Sequence, residues 1–329
     1  MSEPERAART RAPDPGPVGR LAPSPTGRLH LGHARSFLLA WWRARSRGGR
    51  IMLRLEDLDR ERVKPEMAEL ALADLEWLGL DWDGPVHVQS RDTEPLRDAL
   101  IRLIESGRAY ACACSRKDIA AAASAPHAGE EGARYPGTCR GRFASLADAE
   151  RAAGRAPAVR FRVNGGHVRV DDAFAGAHAF DVERESGDFI IARGLDAFAY
   201  QLAVVVDDAR AGVNEVVRGD DLLPSAARQY LLQEALGYEH PRWFHVPLVV
   251  DETGRRLAKR SDDLALASLR ERGIDPRHVV GWIARRSGLH SIEDCTAREA
   301  LEAFDWNAVP HAPVVVGASD LAELGAPAR

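Results

Sequence analysis

Apolar positions recur most regularly in the first third of the chain. In "ARSFLLAWWRARSRGG", residues 34–49, they return at helical spacing, arginines gather toward the end and Gly48-Gly49 supplies a stop, which predicts a helix. "RIMLRLEDLD", 50–59, then reads as a short buried strand running into acids. "KPEMAELALADLEWLGLDW" and "DTEPLRDALIRLIESGRAY" predict two further amphipathic helices, the first with Pro65 near its start and the second closing at Gly107. Strands alternating with helices favour a parallel sheet.

From Ala111 to about Asp188 the texture shifts to cysteines, a Gly/Ala/Ser-rich stretch and short strand-like pieces, "AVRFRV" and "HVRVDD", as expected of an inserted subdomain. Alternation resumes at "FAYQLAVVVDDARAGVNEVVRGDDL", read as two apolar strands around a turn. "PSAARQYLLQEALGY" then predicts a helix ending at Gly237, and "FHVPLVVDETGRRLAKRSDD" a strand, a turn and a basic loop. The remainder reads as helical with a polar tail, and no internal repeat occurs. The expected organisation is a mobile leader over 1–19, an α/β domain in two halves (20–110 and 189–250), an insertion over 111–188, and a basic loop with a helical region over 251–329.

Composition narrows the class. The 329 residues, 45% hydrophobic and 29% charged, can bury a sizeable core. No apolar run is long enough for a membrane span and the N-terminus carries no secretory h-region, so a cytoplasmic protein with no membrane partner is expected. A monomer is the expected state. A formal net charge of −4 argues against a wholly basic nucleic-acid coat but leaves room for a local basic surface. Three of the four cysteines, Cys112, Cys114 and Cys139, fall close together. An odd cluster without an export signal suits a metal better than disulfides. Reduced cysteines packed in a small apolar corner are the alternative.

"RLAPSPTGRLHLGH", residues 20–33, sets His30 and His33 around Gly32 at the mouth of the first helix. A helix N-terminus offers free N–H groups and partial positive charge, imidazoles add donors, and glycine lets a ligand approach the backbone, which together suit a nucleotide. A bare HxGH recurs by chance, and adenylate-forming nucleotidyltransferases share it. More than two hundred residues on stands "GRRLAKRSDD". Together the two segments resemble the HIGH and KMSKS motifs of class I aminoacyl-tRNA synthetases. Lys259 takes the second lysine's place, while Arg256 and Ala258 depart from the family pattern.

The resemblance implies a Rossmann-like fold with an inserted zinc-containing α+β subdomain. It implies that ATP, with Mg²⁺, is held by Thr26, His30, Gly32, His33 and Lys259, and that His30, His33 and Lys259 stabilise phosphate charge during adenylation. "RLAPSPTG", "LRLEDLD" and "EVVRGDDLL" resemble glutamyl-type sequences, implying L-glutamate as substrate, with Arg20, Leu21, Ala22, Pro23 and Ser24 lining its pocket, Glu56 facing its amino group, and Tyr200 and Arg218 closing it. In shortened glutamyl-type relatives a structural zinc is held by three cysteines and a tyrosine. That pattern falls on Cys112, Cys114, Tyr135 and Cys139, with His127 as the rival fourth ligand.

Asp207 and Asp208 are not expected to form a metal pair, since neighbours on a strand face opposite ways and a turn or cap role is expected instead. Seventy residues follow Lys259, fewer than the anticodon-binding region of a full glutamyl enzyme. The best resemblance is therefore to the shortened relatives that attach glutamate to the queuosine base in the anticodon loop of tRNA(Asp). Charging of the 3′ end of tRNA(Glu) and a non-catalytic tRNA-binding role are the competing readings.

Overall fold

The computed structural model describes residues 16–115, 117–119, 134–256 and 262–325. Most of the expected leader therefore lies outside the described residues, as do His127 and the stretch 257–261 with Ala258 and Lys259.

The chain opens with β1 (Val18–Leu21), α1 (Leu31–Arg45), β2 (Arg50–Leu55), α2 (Pro65–Trp77), β3 (His87–Val88) and α3 (Glu94–Glu105). β1, β2 and β3 pair in parallel in the order β1-β2-β3. The α1 to β2 turn closes tightly at Gly49, where a Cβ would stand 2.2 Å from the Pro17 carbonyl. Only glycine fits there. Pro65 stands in the first turn of α2, where its missing N–H leaves no bond unmade.

An antiparallel region follows. β4 (Ala109–Cys112), α4 (Leu146–Ala153), β5 (Ala158–Phe161), β6 (Val168–Asp172), β7 (Gly176–Phe180), the short α5 (Val182–Glu185), β8 (Ile190–Arg193) and β9 (Ala197–Phe198) form a four-stranded sheet in the order β4-β5-β8-β9 and a β6-β7 hairpin. Its apolar residues, among them Val159, Phe161, Val170 and Ile191, join those of α3 and of the helix after β9 in one core.

The chain then returns to parallel topology through α6 (Tyr200–Arg210), β10 (Glu215–Gly219), α7 (Leu223–Leu236) and β11 (Arg242–Val246), β10 and β11 pairing in parallel. β10 comes alongside β1, where the Asn214 N–H bonds the Val18 carbonyl and the Arg20 side chain donates to the Val217 carbonyl at 3.0 Å. The spatial order is thus β3, β2, β1, β10, β11, with the direction of winding reversing between β1 and β10. In doubly wound folds that crevice, at the carboxyl ends of the strands, is where ligands bind.

Two expectations change here. The stretch "YQLAVVVDDAR", expected as a strand, is helix α6. Its valines carry strand propensity, but Leu202, Ala203, Val204, Val205 and Val206 are all buried, and a short apolar run does not tell a strand from a helix enclosed on every side. The helical end also contains a strand. After β12 (Val249–Asp251) come α8 (Leu266–Glu271), α9 (Pro276–Arg286), α10 (Ala297–Glu302), β13 (Val314–Val316) and α11 (Ala318–Glu323), and β13 pairs in parallel with β12. The Trp42 indole N–H, donating to the Ala297 carbonyl at 2.8 Å, ties α1 to this region. No helix among the described residues is long and apolar enough to cross a membrane.

Candidate active site

A cavity of about 650 Å³ opens at the β1/β10 crevice. Of the residues expected to meet glutamate, Arg20, Ala22, Pro23, Ser24, Glu56, Tyr200 and Arg218 line it, and so do Thr26, His30, Gly32 and His33 of the expected nucleotide side. Leu21 does not. Alternation along β1 turns it into the core, where it is fully buried. Lys259 lies outside the described residues, while Arg256, which opens the basic loop, lines the cavity and pairs with Asp221.

The histidines cap α1. His30 is its N-cap residue in extended conformation, and its Nδ1 accepts the Gly32 N–H at 3.2 Å. The His33 Nδ1 accepts the His30 N–H, also at 3.2 Å, closing a capping box built from imidazoles. Gly32 has a second reason to be glycine, since a Cβ there would crowd the His30 ring at 3.1 Å. Because each Nδ1 accepts from backbone, each ring carries its proton on Nε2. Burial and the neighbouring Arg256 hold His30 down at about 4, and burial, His30 and Arg256 hold His33 down at about 3. Both are therefore neutral donors at physiological pH, set at the positive end of a helix.

Across the cavity lies a charged network. Asp208 takes Arg54 at 2.6 Å and Arg20 at 3.8 Å, Arg54 also reaches Glu56 at 3.1 Å, and the Ser24 hydroxyl donates to Glu56 at 3.2 Å. This corrects the expected turn or cap role of the aspartates. Both are buried on α6: Asp208 braces the arginines, and Asp207 accepts from the Gln89 amide at 2.7 Å with His87 at 3.3 Å. Arg54, and Asp208 in this bracing role, are supporting residues that no motif names. Their signal was a charge set inside an apolar run, in "RIMLRLE" and "LAVVVDD".

Arg218 is 5% exposed and forms no ion pair with a carboxylate among the described residues. Its Nε donates to His245 at 2.9 Å, its Nη2 donates to the Leu222 carbonyl at 3.2 Å, and its Nη1 lies 3.4 Å from the Tyr200 hydroxyl. Burial lowers its pKa. A buried guanidinium without an anion is costly unless a ligand supplies one.

At the far end of β4, Cys112 is joined by Cys114, two residues on, and by Cys139, the three sulfurs lying within 4.8 Å of one another. The Tyr135 oxygen stands 3.3 Å from the Cys112 Sγ and 3.9 Å from the Cys114 Sγ, and the Cys114 and Cys139 sulfurs are 3.5 Å apart. Tetrahedral zinc with Zn–S near 2.3 Å and Zn–O near 2.0 Å requires ligand separations of about 3.5–3.8 Å. The donor set fits. The Arg160 Nε reaches the Cys112 Sγ at 3.3 Å and its guanidinium carbon sits 3.7 Å from the centroid of the Tyr135 ring, so a cation faces what would be an anionic cluster.

A parallel α/β sheet whose crevice joins a histidine-capped helix to a buried arginine cluster is the arrangement of a class I synthetase domain. Residues 18–323 match the family described as tRNA synthetases class I (E and Q), catalytic domain, and the chain belongs to that family. Its relatives include the glutamyl-Q tRNA(Asp) synthetases of Symbiobacterium thermophilum, 46% identical over 93% of this chain and 98% of the relative, and of Rhodopirellula baltica, 44% identical over 91% and 96%. Among solved structures, a glutamate tRNA ligase from Elizabethkingia meningosepticum in complex with its amino acid superposes with a TM-score of 0.77 at 25% identity, covering 94% of this chain and 68% of that one.

Proposed function

We propose that this chain is a ligase that activates L-glutamate with ATP and transfers it to the queuosine base in the anticodon loop of tRNA(Asp). A glutamate carboxylate oxygen attacks the α-phosphorus, an acyl-phosphate bond forms and pyrophosphate departs with the electron pair of the broken P–O bond. A hydroxyl of the queuosine diol then attacks the acyl carbon, losing its proton as AMP leaves. The observation that carries this reading is Arg218, buried without a carboxylate partner and sharing one cavity with Arg20 and the paired imidazoles. Two arginines suit the substrate's carboxylates and Glu56 its ammonium. The Nε2–H groups of His30 and His33, with Lys259 from the basic loop, stabilise the charge that builds on the phosphates, and Mg²⁺ enters with ATP.

The experiment is exchange of labelled pyrophosphate into ATP with no tRNA present. L-glutamate should support it, and absence of glutamate-dependent exchange by the folded, zinc-replete protein would refute the reading.

Cys112, Cys114, Tyr135 and Cys139 would hold zinc in a structural role, since four donors facing one another leave no open position. Purified, reduced protein should then contain about one zinc per chain and melt at lower temperature after chelation, because metal binding energy is part of folding energy. Elemental analysis showing no zinc would end this assignment.

A further inference from the structure

Arg218 is held from behind by a chain of groups that the proposed reaction leaves unused. His245, on β11, has a side chain wholly screened from solvent, as has Asp172 on β6. The His245 Nδ1 lies 2.6 Å from Asp172, whose carboxylate also accepts the backbone N–H groups of Phe174, Ala175 and His245 itself. On its other side the His245 Nε2 meets the Arg218 Nε at 2.9 Å. A guanidinium N–H can only donate, so Nε2 must accept and the imidazole proton must sit on Nδ1, facing Asp172. One proton arrangement satisfies all three residues. Trp243, next but one on the same strand, lies under the guanidinium at 4.7 Å and limits its tilt.

The position of the neutral group is informative. A carboxylate in place of His245 would orient Arg218 equally well, but it would form a buried ion pair and cancel the charge a substrate carboxylate needs. An imidazole orients without cancelling. We propose that Asp172 and His245 are positioning residues that aim the Arg218 guanidinium into the cavity while leaving its charge available to the amino-acid substrate. This rests on the reading of Arg218 as a substrate ligand. It also makes a strand of the antiparallel region part of amino-acid recognition, although that strand does not line the cavity.

Four variants and one spectrum test this. In tRNA-free pyrophosphate exchange, His245→Phe, which fills the space without an acceptor, should raise KM for glutamate tenfold or more while KM for ATP stays within about twofold. His245→Gln, which can accept from Arg218 and donate to Asp172, should recover most of that loss. Asp172→Asn, nearly isosteric, presents an N–H to Nδ1, forces the opposite tautomer and should also raise KM for glutamate. If His245→Phe does not fold, this variant decides. In the unaltered protein, ¹⁵N resonances should show His245 protonated on Nδ1 alone at pH 7.

An unchanged KM for glutamate in folded His245→Phe or Asp172→Asn, an equal rise in KM for ATP, or an Nε2–H tautomer would overturn the inference. Arg218→Ala separates this outcome from failure of the substrate reading. If it leaves KM for glutamate unaltered, the substrate reading itself falls. If it raises KM while the His245 and Asp172 variants do not, only the positioning role is lost.

Discussion

Replacing His33 by alanine should slow glutamate-dependent pyrophosphate exchange by roughly a hundredfold or more, the cost of removing one preorganised donor aimed at developing charge. The capping geometry leaves Nε2–H as the ring's free donor, and a donor already fixed needs no reorganisation as the charge builds. His33→Ala also removes the acceptor for the His30 N–H, worth about 1 kcal/mol at a helix cap. That loss should lower the melting temperature only slightly. His33→Gln is the control, because glutamine at the third position of a capping box keeps that acceptor without the imidazole. It should restore stability and leave exchange low. Lys259→Ala should bring a loss of the same order. Near-normal exchange in both alanine variants would show that the two motifs do not carry the adenylation chemistry.

The order of elements was legible from residue patterns wherever a helix has one exposed face. α3 shows this, with Leu96, Ala99, Leu100 and Leu103 buried at helical spacing and Arg97, Asp98 and Arg102 among the residues between them. Legibility failed at α6, because a helix enclosed on all sides has no polar face to set its period and its valines favour a strand on propensity alone. β13 was missed for a different reason. Three valines between prolines and glycine carry little pattern, and the strand exists because Val249, Val250 and Asp251 lie opposite.

The site divided in a similar way. Side chains inside contiguous motifs, His30, His33, Ser24 and Arg20, could be named from sequence and lie in one cavity. Residues that act by supporting others could not, since Asp208 meets Arg54 across 154 positions and Asp172 meets His245 across 73. Nothing local announces such pairs except a charge in apolar surroundings. Leu21 shows the converse case, lying within the motif while strand alternation sends its side chain to the core.

The acceptor is the central claim. The cyclopentenediol of queuosine presents a vicinal diol much like the terminal ribose that glutamyl enzymes esterify, so one adenylate and one pocket can serve either oxygen nucleophile. Single-stranded loops are bound by splaying bases into pockets, which allows an anticodon loop to enter where an acceptor end would. The direct measurement is transfer of labelled glutamate to three purified RNAs: tRNA(Asp) with queuosine, the same tRNA with guanosine, and tRNA(Glu). The account predicts label on the queuosine-containing tRNA(Asp) alone, weakening as added salt screens phosphate contacts. Label on the 3′ end of tRNA(Glu), with the queuosine-containing tRNA(Asp) untouched, would contradict it.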